Sequence, residues 1–383
     1  MNIVLSPDSY KGSLTSIEAA QIMKKAIKEI NSQTNVVMKP MADGGEGTLE
    51  ALLTSTKGKR ISISCSGALG NTITTSYAII NGNTAIIEGA KIAGLPQVPL
   101  SGRNPDYTTT YGIGEVIIDA MNNNCTSFII GIGGSATNDG GLGMLLALGM
   151  KAYDKMGNSI GPYGKDLLLL SEVDFTKLDS RLKEVTLNVA CDVDNPLCGE
   201  KGATYVYGPQ KGATKEQLKQ YNNALRYFGS RIENLQKKSI TNVPGSGAAG
   251  GLGFAFLAIN ANLTSGAHLV AEEIQLENAV KEADLVITGE GQTDEQTIEY
   301  GKTADYVARL SQNYEVPALL LSGSLQGNQN RLREKFAGCF SILSSPLLLE
   351  ESMNQAGELL YEQTKNVMHF AHCMNEVNVN DLT

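Results

Sequence analysis

The sequence predicts an α/β protein in which a second α/β domain is inserted into the first. Three observations carry this. Short apolar runs alternate with helical stripes from the first residues onward, as in β-loop-α units around a parallel sheet. After Gly58 the alternation gives way to strand texture of period two and an Asn-Gly turn, and it resumes later in the chain. The 383 residues, 42% of them hydrophobic, are enough for two cores, with no internal repeat or low-complexity linker. The expected domains are 1–57 with 270–383, and an inserted 58–269.

Ile3 to Leu5 is an apolar strand, and P-D-S-Y-K-G-S-L leads from it to a helix opened by Thr15 and Glu18 at capping-box spacing. Ala19, Ile22, Met23, Ala26, Ile27 and Ile30 recur at helical spacing and form its buried stripe. Val36 to Met38 is extended, M-A-D-G-G-E-G-T follows, and a helix from about Gly47 to Thr56 ends at Gly58. Next, I-S-I-S alternates, and Asn81-Gly82 between β-branched flanks predicts a hairpin, because both turn residues need positive φ. Ile113, Val116, Ile117, Ala120 and Met121 make a helix, and Phe128 to Ile130 a buried strand that runs into glycines. Val185 to Cys191 is a strand leading to D-V-D-N-P-L-C-G. Thr214 and Gln217 cap a helix whose residues Leu218, Tyr221, Leu225, Phe228, Ile232 and Leu235 form a narrow stripe. That stripe packs on its own domain or forms a dimer seam, which would make a homodimer. Gly245 to Gly253 opens a glycine-led helix, Asp284 to Thr288 is a strand ending in G-E-G-Q-T-D, and Ala304 to Leu310 is helical. Ala318 to Leu321 and Phe340 to Leu343 are strands, Glu351 to about Phe370 is a helix, and the polar residues after Cys373 fray.

The formal net charge of −9 excludes nucleic acid and anionic membrane surfaces as partners, which need clustered Lys and Arg. The six cysteines contain no C-x-x-C, and the three histidines fall in no zinc pattern. Reduced thiols, the absence of a leader and the lack of a long apolar run point to the cytoplasm.

Five loops share one character: P-D-S-Y-K-G-S, A-D-G-G-E-G-T, G-G-S-A-T-N-D-G-G, C-D-V-D-N-P and G-E-G-Q-T-D. Each follows an apolar stretch and sets carboxylates beside small residues. The ends of parallel strands line a ligand crevice, so these loops can converge there. Ser127 to Gly143 is the densest: a strand turning through Gly131, Gly133 and Gly134 into a helix start aims backbone N–H groups at an anion, phosphate first. The alternative is a turn that only lets helix and sheet pack closely. Carboxylates beside glycine turns suit magnesium–nucleotide chemistry, in which Mg²⁺ takes one or two carboxylates plus phosphate oxygens.

A P-loop is excluded, because Gly301-Lys302-Thr303 has Gln296 where the first glycine belongs. A dinucleotide enzyme, an NAD(P)-dependent oxidoreductase of a small hydroxy acid, is the main competitor. Gly131-Ile132-Gly133 with Ala136 fits its fingerprint, and Asp154 stands near the ribose-binding spacing. Asp139 at the helix start opposes it, since it would repel a pyrophosphate lacking metal. A non-catalytic sugar-acid-binding protein is the third reading.

Taken in order, these motifs resemble the glycerate kinase family. The resemblance runs from Pro7 through M-A-D-G-G-E-G-T, R-N-P at Arg103 with T-T-Y-G at Thr109, G-I-G-G-S-A-T-N-D-G-G, A-C-D-V-D-N-P-L-C-G, G-A-A-G-G-L-G and T-G-E-G-Q-T-D, to about residue 370. It implies ATP-dependent phosphorylation of D-glycerate with Mg²⁺, commonly to 2-phosphoglycerate, in an interdomain cleft. It also implies a flavodoxin-like domain from both chain ends and an inserted mixed-sheet domain resembling restriction endonucleases. Family members read G-E-G-x-x-D-x-Q-[TS]-x-x-G-K, whereas Thr297 to Lys302 carries one extra residue, which shifts the register of Lys302. Chemistry placed on the matching positions makes Lys11 and Arg103 holders of the glycerate carboxylate or the transferring phosphate. Asp192 or Asp194 is the base or the Mg²⁺ ligand, with Asp43 and Glu46 as further carboxylates. Asp8 and Ser9 bind substrate, Gly133, Gly134 and Ser135 hold phosphate, and Asn138 and Asp139 stand where a metal-bound phosphate is tolerated. Glu290 and Asp294 line the cleft.

Overall fold

The structure, a computed structural model, describes residues 1–294 and 302–380. In chain order its strands are β1 (Asn2–Leu5), β2 (Asn35–Met38), β3 (Gly58–Ser66), β4 (Thr72–Ile80), β5 (Thr84–Glu88), β6 (Ser127–Gly131), β7 (Lys151–Tyr153), β8 (Glu172–Asp174), β9 (Thr186–Ala190), β10 (Asn262–Thr264), β11 (Leu285–Thr293), β12 (Ala318–Leu325) and β13 (Gly338–Ser341). The chain forms two compact units: Met1–Asp43 with Glu50–Ser55 and Val270–Thr383, and Gly44–Leu49 with Thr56–Leu269.

The first unit is built on a five-stranded parallel sheet in the order β13-β12-β11-β1-β2. Counted within the unit this is 2-1-3-4-5, the flavodoxin-like order, and its direction reverses between β1 and β11. One face of the sheet is covered by the helices Ser16–Ile30 and Ala356–Asn380, whose Met23, Ile27, Leu360 and Met368 are buried with Ile3, Leu5 and Ile287. The capping box forms as the sequence predicts: Glu18 N–H donates to Thr15 Oγ1 at 3.2 Å, and Thr15 N–H to Glu18 Oε2 at 2.9 Å. The C-terminal helix continues past Phe370 to Asn380, where fraying was expected from Cys373 onward.

β11 runs five residues further than the apolar run that predicts it, since Gly289, Glu290 and Gln292 pair with Leu321, Ser322 and Ser324 of β12. The segment that the sequence presents as a loop is the end of a strand. Glycine makes this possible: a Cβ on Gly289 would lie 2.2 Å from the Leu321 carbonyl oxygen and 2.4 Å from Tyr10 Oη, and one on Gly323 2.2 Å from the Gly291 carbonyl oxygen. No side chain fits where these backbones meet.

The second unit carries a six-stranded mixed sheet in the order β10-β9-β6-β5-β4-β3. β3, β4 and β5 are antiparallel, and β5, β6, β9 and β10 are parallel. The β4–β5 hairpin turns at Asn81 and Gly82 with φ of 51° and 91°, the positive angles that the Asn-Gly pair predicts. In the helix Lys215–Gln236 the stripe residues Tyr221, Leu225, Phe228 and Ile232 are buried, and Phe228 meets Phe254 edge-to-face at 5.8 Å. Those four residues are spent on the unit's own core, while Leu218 is half-buried and Leu235 exposed.

The fold also decides the dinucleotide reading. A dinucleotide fold places its next strand beside the one that carries the glycines. Here β7 pairs antiparallel with β8 in a separate two-stranded sheet. Asp154 instead closes its own turn, Oδ1 accepting from Met156 N–H at 2.8 Å and Asn158 N–H at 2.9 Å.

The close approach at Gly289 gives a direct test. Gly289→Ala forces Leu321 or Tyr10 to move, and is expected to destabilise the protein by about 1–3 kcal/mol. Urea unfolding followed by circular dichroism measures it; an unchanged midpoint would show that β11 and β12 are not held this tightly.

Candidate active site

In the first unit the residues singled out above gather at the β1–β11 reversal. β1 leaves the sheet along β11: Ser6 N–H donates to the Ile287 carbonyl and Asp8 N–H to the Gly289 carbonyl, each at 2.8 Å. Tyr10 pins the following loop by donating its hydroxyl to the Leu321 carbonyl at 2.7 Å. Asp8 is thereby buried, with Oδ1 accepting from Ser9 N–H at 2.6 Å. Burial first, and the neighbouring Asp43 carboxylate second, push the Asp8 pKa above the usual carboxylate range. Lys11 lies 3.1 Å from Asp43, is largely exposed, and its pKa is raised chiefly by that carboxylate. Glu290, carried by β11, accepts from the Thr293 hydroxyl at 2.8 Å, and Asp294 follows the strand directly. Thr297 to Gly301, on which the register of Lys302 turns, lie outside the described residues.

In the second unit a group of loops sits at the C-terminal ends of β6 and β9. Gly44 has φ of 81°, and a Cβ there would meet Ala190 Cβ at 2.2 Å. A Cβ on Gly131 would lie 1.9 Å from the Gly44 carbonyl oxygen. The G-G-E-G segment is therefore laid directly on the strand ends, with Glu46 exposed. Beside it Gly133 and Gly134 are exposed, Gly134 has φ of 69°, and Ser135 is half-buried. Asp192 and Asp194 are exposed after β9, and Asp192 Oδ1 accepts from Gly266 N–H at 3.2 Å. Among the described residues no three or more His, Cys, Asp or Glu side chains converge on a metal position. Mg²⁺ requires less, one or two carboxylates plus phosphate and water oxygens, so the exposed Asp192–Asp194 pair fits it.

Asn138 and Asp139 have a different position from the one expected. Both are fully buried. Asp139 Oδ2 accepts from Thr110 N–H at 2.9 Å, Thr110 Oγ1 at 2.7 Å and Gly143 N–H at 3.2 Å, and Oδ1 accepts from Gly141 N–H at 3.0 Å. These donors begin the helices Tyr111–Asn122 and Leu142–Ala147. Burial raises the Asp139 pKa and the four hydrogen bonds oppose that rise. Asn138 Nδ2 donates to Thr204 Oγ1 at 3.0 Å. The G-A-A-G-G-L-G segment supports the same loop from below, where a Cβ on Gly250 would lie 2.1 Å from the Thr137 carbonyl oxygen.

Arg103 Nη1 donates to the Gln210 carbonyl at 3.4 Å, which places it beside a residue that sequence reasoning missed. Lys211 is buried to 2% exposure and donates to Ser135 Oγ at 2.9 Å and to the Thr137 carbonyl at 2.6 Å. Nothing local in Y-G-P-Q-K-G distinguishes this lysine from a surface one; only the fold folds it under the glycine turn.

Carboxylates and a lysine at the reversal of a parallel sheet, and a glycine turn at the strand ends of a mixed one, suit an α/β kinase, and comparison with known proteins bears this class out. The glycerate kinase family profile matches residues 3–372. The glycerate kinase of Halalkalibacterium halodurans is 42% identical over 95% of this chain and 97% of its own. The glycerate 2-kinase of Escherichia coli is 41% identical over 96% and 97%. A crystal structure of a Salmonella typhimurium protein assigned as glycerate kinase 2 superposes with a TM-score of 0.89 at 38% identity, covering 98% of this chain and 99% of that one. The chain belongs to the glycerate kinase family, and it is a kinase.

The geometry gives Asp139 a structural role. Asp139→Ala leaves four buried donors without their acceptor and is expected to cost about 2–4 kcal/mol, since each unsatisfied donor costs ~1–3 kcal/mol before relaxation. Thermal unfolding measures it, and a melting temperature equal to wild type would return Asp139 to the list of ligand contacts.

Proposed function

We propose that this kinase transfers the terminal phosphoryl group of ATP to D-glycerate, giving 2-phosphoglycerate, in a cleft to which both units contribute. What supports the cleft is that Asp43 and Gly44 are consecutive. Asp43 pairs with Lys11 in the first unit, while Gly44 is seated on the strand ends of the second. One peptide bond thus links the two groups of candidate residues. The names of the relatives support glycerate as acceptor, and the Escherichia coli relative's name supports position 2.

In this reading the exposed Lys11–Asp43 pair is cheap to open, because a solvent-exposed ion pair contributes only ~0–1 kcal/mol. Lys11 can therefore exchange Asp43 for the carboxylate or phosphate of the substrate. Arg103 holds the other anionic group. Gly133, Gly134 and Ser135 offer their N–H groups to phosphate. Asp8, whose proton affinity burial increases, takes the hydroxyl proton, and Ser9 beside it, with Glu290 and Asp294 at the end of β11, binds substrate. Asp192 and Asp194 hold Mg²⁺, which when bound neutralises phosphate charge. Glu46 stays within reach of the same loops.

An ATPase assay coupled to pyruvate kinase, with and without D-glycerate, tests the activity, and direct conversion of the product by enolase tests the position. Turnover independent of glycerate, or none, sinks the reading. Lys11→Met, Asp8→Asn and Asp192→Asn are each expected to lower kcat/KM about 100-fold or more, and EDTA to abolish turnover reversibly. Losses under about threefold, ~0.7 kcal/mol, in all three variants would reject these roles. The raised Asp8 pKa also has a signed consequence. If its carboxylate is the base, kcat/KM falls as pH drops through a pKa above that of a free aspartate, and an acid limb in the free-aspartate range would exclude Asp8.

A further inference from the structure

We propose that Lys211 is a positioning residue of the phosphate-holding turn: locked between Ser135 Oγ and the Thr137 carbonyl, its amino group shapes the Gly133–Ser135 turn from beneath and supplies a positive charge there when an anion binds. The proposal rests on the reading of that turn as the phosphate site.

Burying a lysine is costly, and an apolar side chain of similar volume would pack this position at lower cost. The two groups that Lys211 bonds are a hydroxyl and a carbonyl, at 2.9 and 2.6 Å, not a carboxylate. Its charge is thus not cancelled by contact, and it lies directly under an exposed, glycine-lined turn. The surrounding backbone leaves the lysine little freedom. Gly212, next in the chain, has φ of 85°, and a Cβ there would lie 2.0 Å from the Arg103 carbonyl oxygen. The Thr137 carbonyl is itself fixed by the close approach of Gly250. Arg103 and Lys211 therefore belong to one rigid frame, with the turn above it. Burial lowers the Lys211 pKa to about 7 and Asp139 opposes the drop, so an anion on the turn would favour the charged form.

The test is a double-mutant cycle of Lys211→Met and Ser135→Ala in the full-length protein. It is read on D-glycerate turnover and on binding of the β,γ-imido analogue of ATP with Mg²⁺. Each single variant is expected to lose about 30-fold or more in kcat/KM, chiefly in kcat, and the double variant to lose no more than about threefold beyond either. Ser135→Thr, which keeps the hydroxyl, is expected to restore most of what Ser135→Ala loses. A folded Lys211→Met within about threefold of wild type, or losses that simply multiply, overturns the proposal. Should Lys211→Met fail to fold, a Ser135→Ala variant as active as wild type overturns it. A wild-type protein that turns over no glycerate defeats the kinase reading alone, and analogue binding then decides for Lys211. Weakening of roughly tenfold in both single variants supports it, and unchanged Kd values, or no binding by the wild type, overturn it.

Discussion

One fully buried carboxylate organises the inserted unit. Asp139 has no solvent to share its charge, and four donors from two helix starts take that place. Such a group is stable only while all its partners are present, so it ties the Thr110 loop, the Gly141–Gly143 backbone and the end of the glycine turn into one geometry. The G-A-A-G-G-L-G segment packs against the same stretch, and Gly140 N–H donates to the Gly250 carbonyl at 3.0 Å. Above this layer the turn is exposed at Gly133 and Gly134; below it the backbones are closely packed. Rigidity beneath and openness above is what an anion site needs, because donors that are already aimed pay no reorganisation cost when the ligand arrives.

The first unit reaches a similar result by other means. Its loops are anchored by Tyr10, whose hydroxyl is spent on a backbone carbonyl, and by glycines that let β11, β12 and the β1 loop run against each other. Carboxylates are then distributed by depth. Asp8 is buried and binds its proton more tightly, whereas Asp43 is partly open and paired with an exposed lysine. An acidic chain of net charge −9 can attract an anionic substrate only through such local positive groups.

Motif and role are separable in this protein. The densest motif of the sequence, G-I-G-G-S-A-T-N-D-G-G, divides into an accessible part, exposed at Gly133 and Gly134 and half-buried at Ser135, and a buried part, Asn138 and Asp139. The motif's one carboxylate, Asp139, lies in the buried part, and nothing in the string itself marks it as buried. Burial and its four donors show that Asp139 holds two helix starts, and that burial is set by elements far away in sequence.

By itself the sequence determined what local chemistry decides. Alternation and capping boxes placed the helices, Asn81-Gly82 placed the hairpin because its φ values suit few other residues, and the ordered glycine motifs marked the family. The tertiary structure alone decided what depends on long-range approach. It extended β11 through G-E-G-Q-T, because that length is set by pairing with β12. It set β7 apart from β6, removing the dinucleotide reading that Gly131 to Ala136 spells. It also buried Lys211 under Ser135, 76 residues away, where no period or spacing in the chain could announce it. Local propensity acts over a few residues, whereas desolvation and shared backbone space act between segments that meet only in the folded protein.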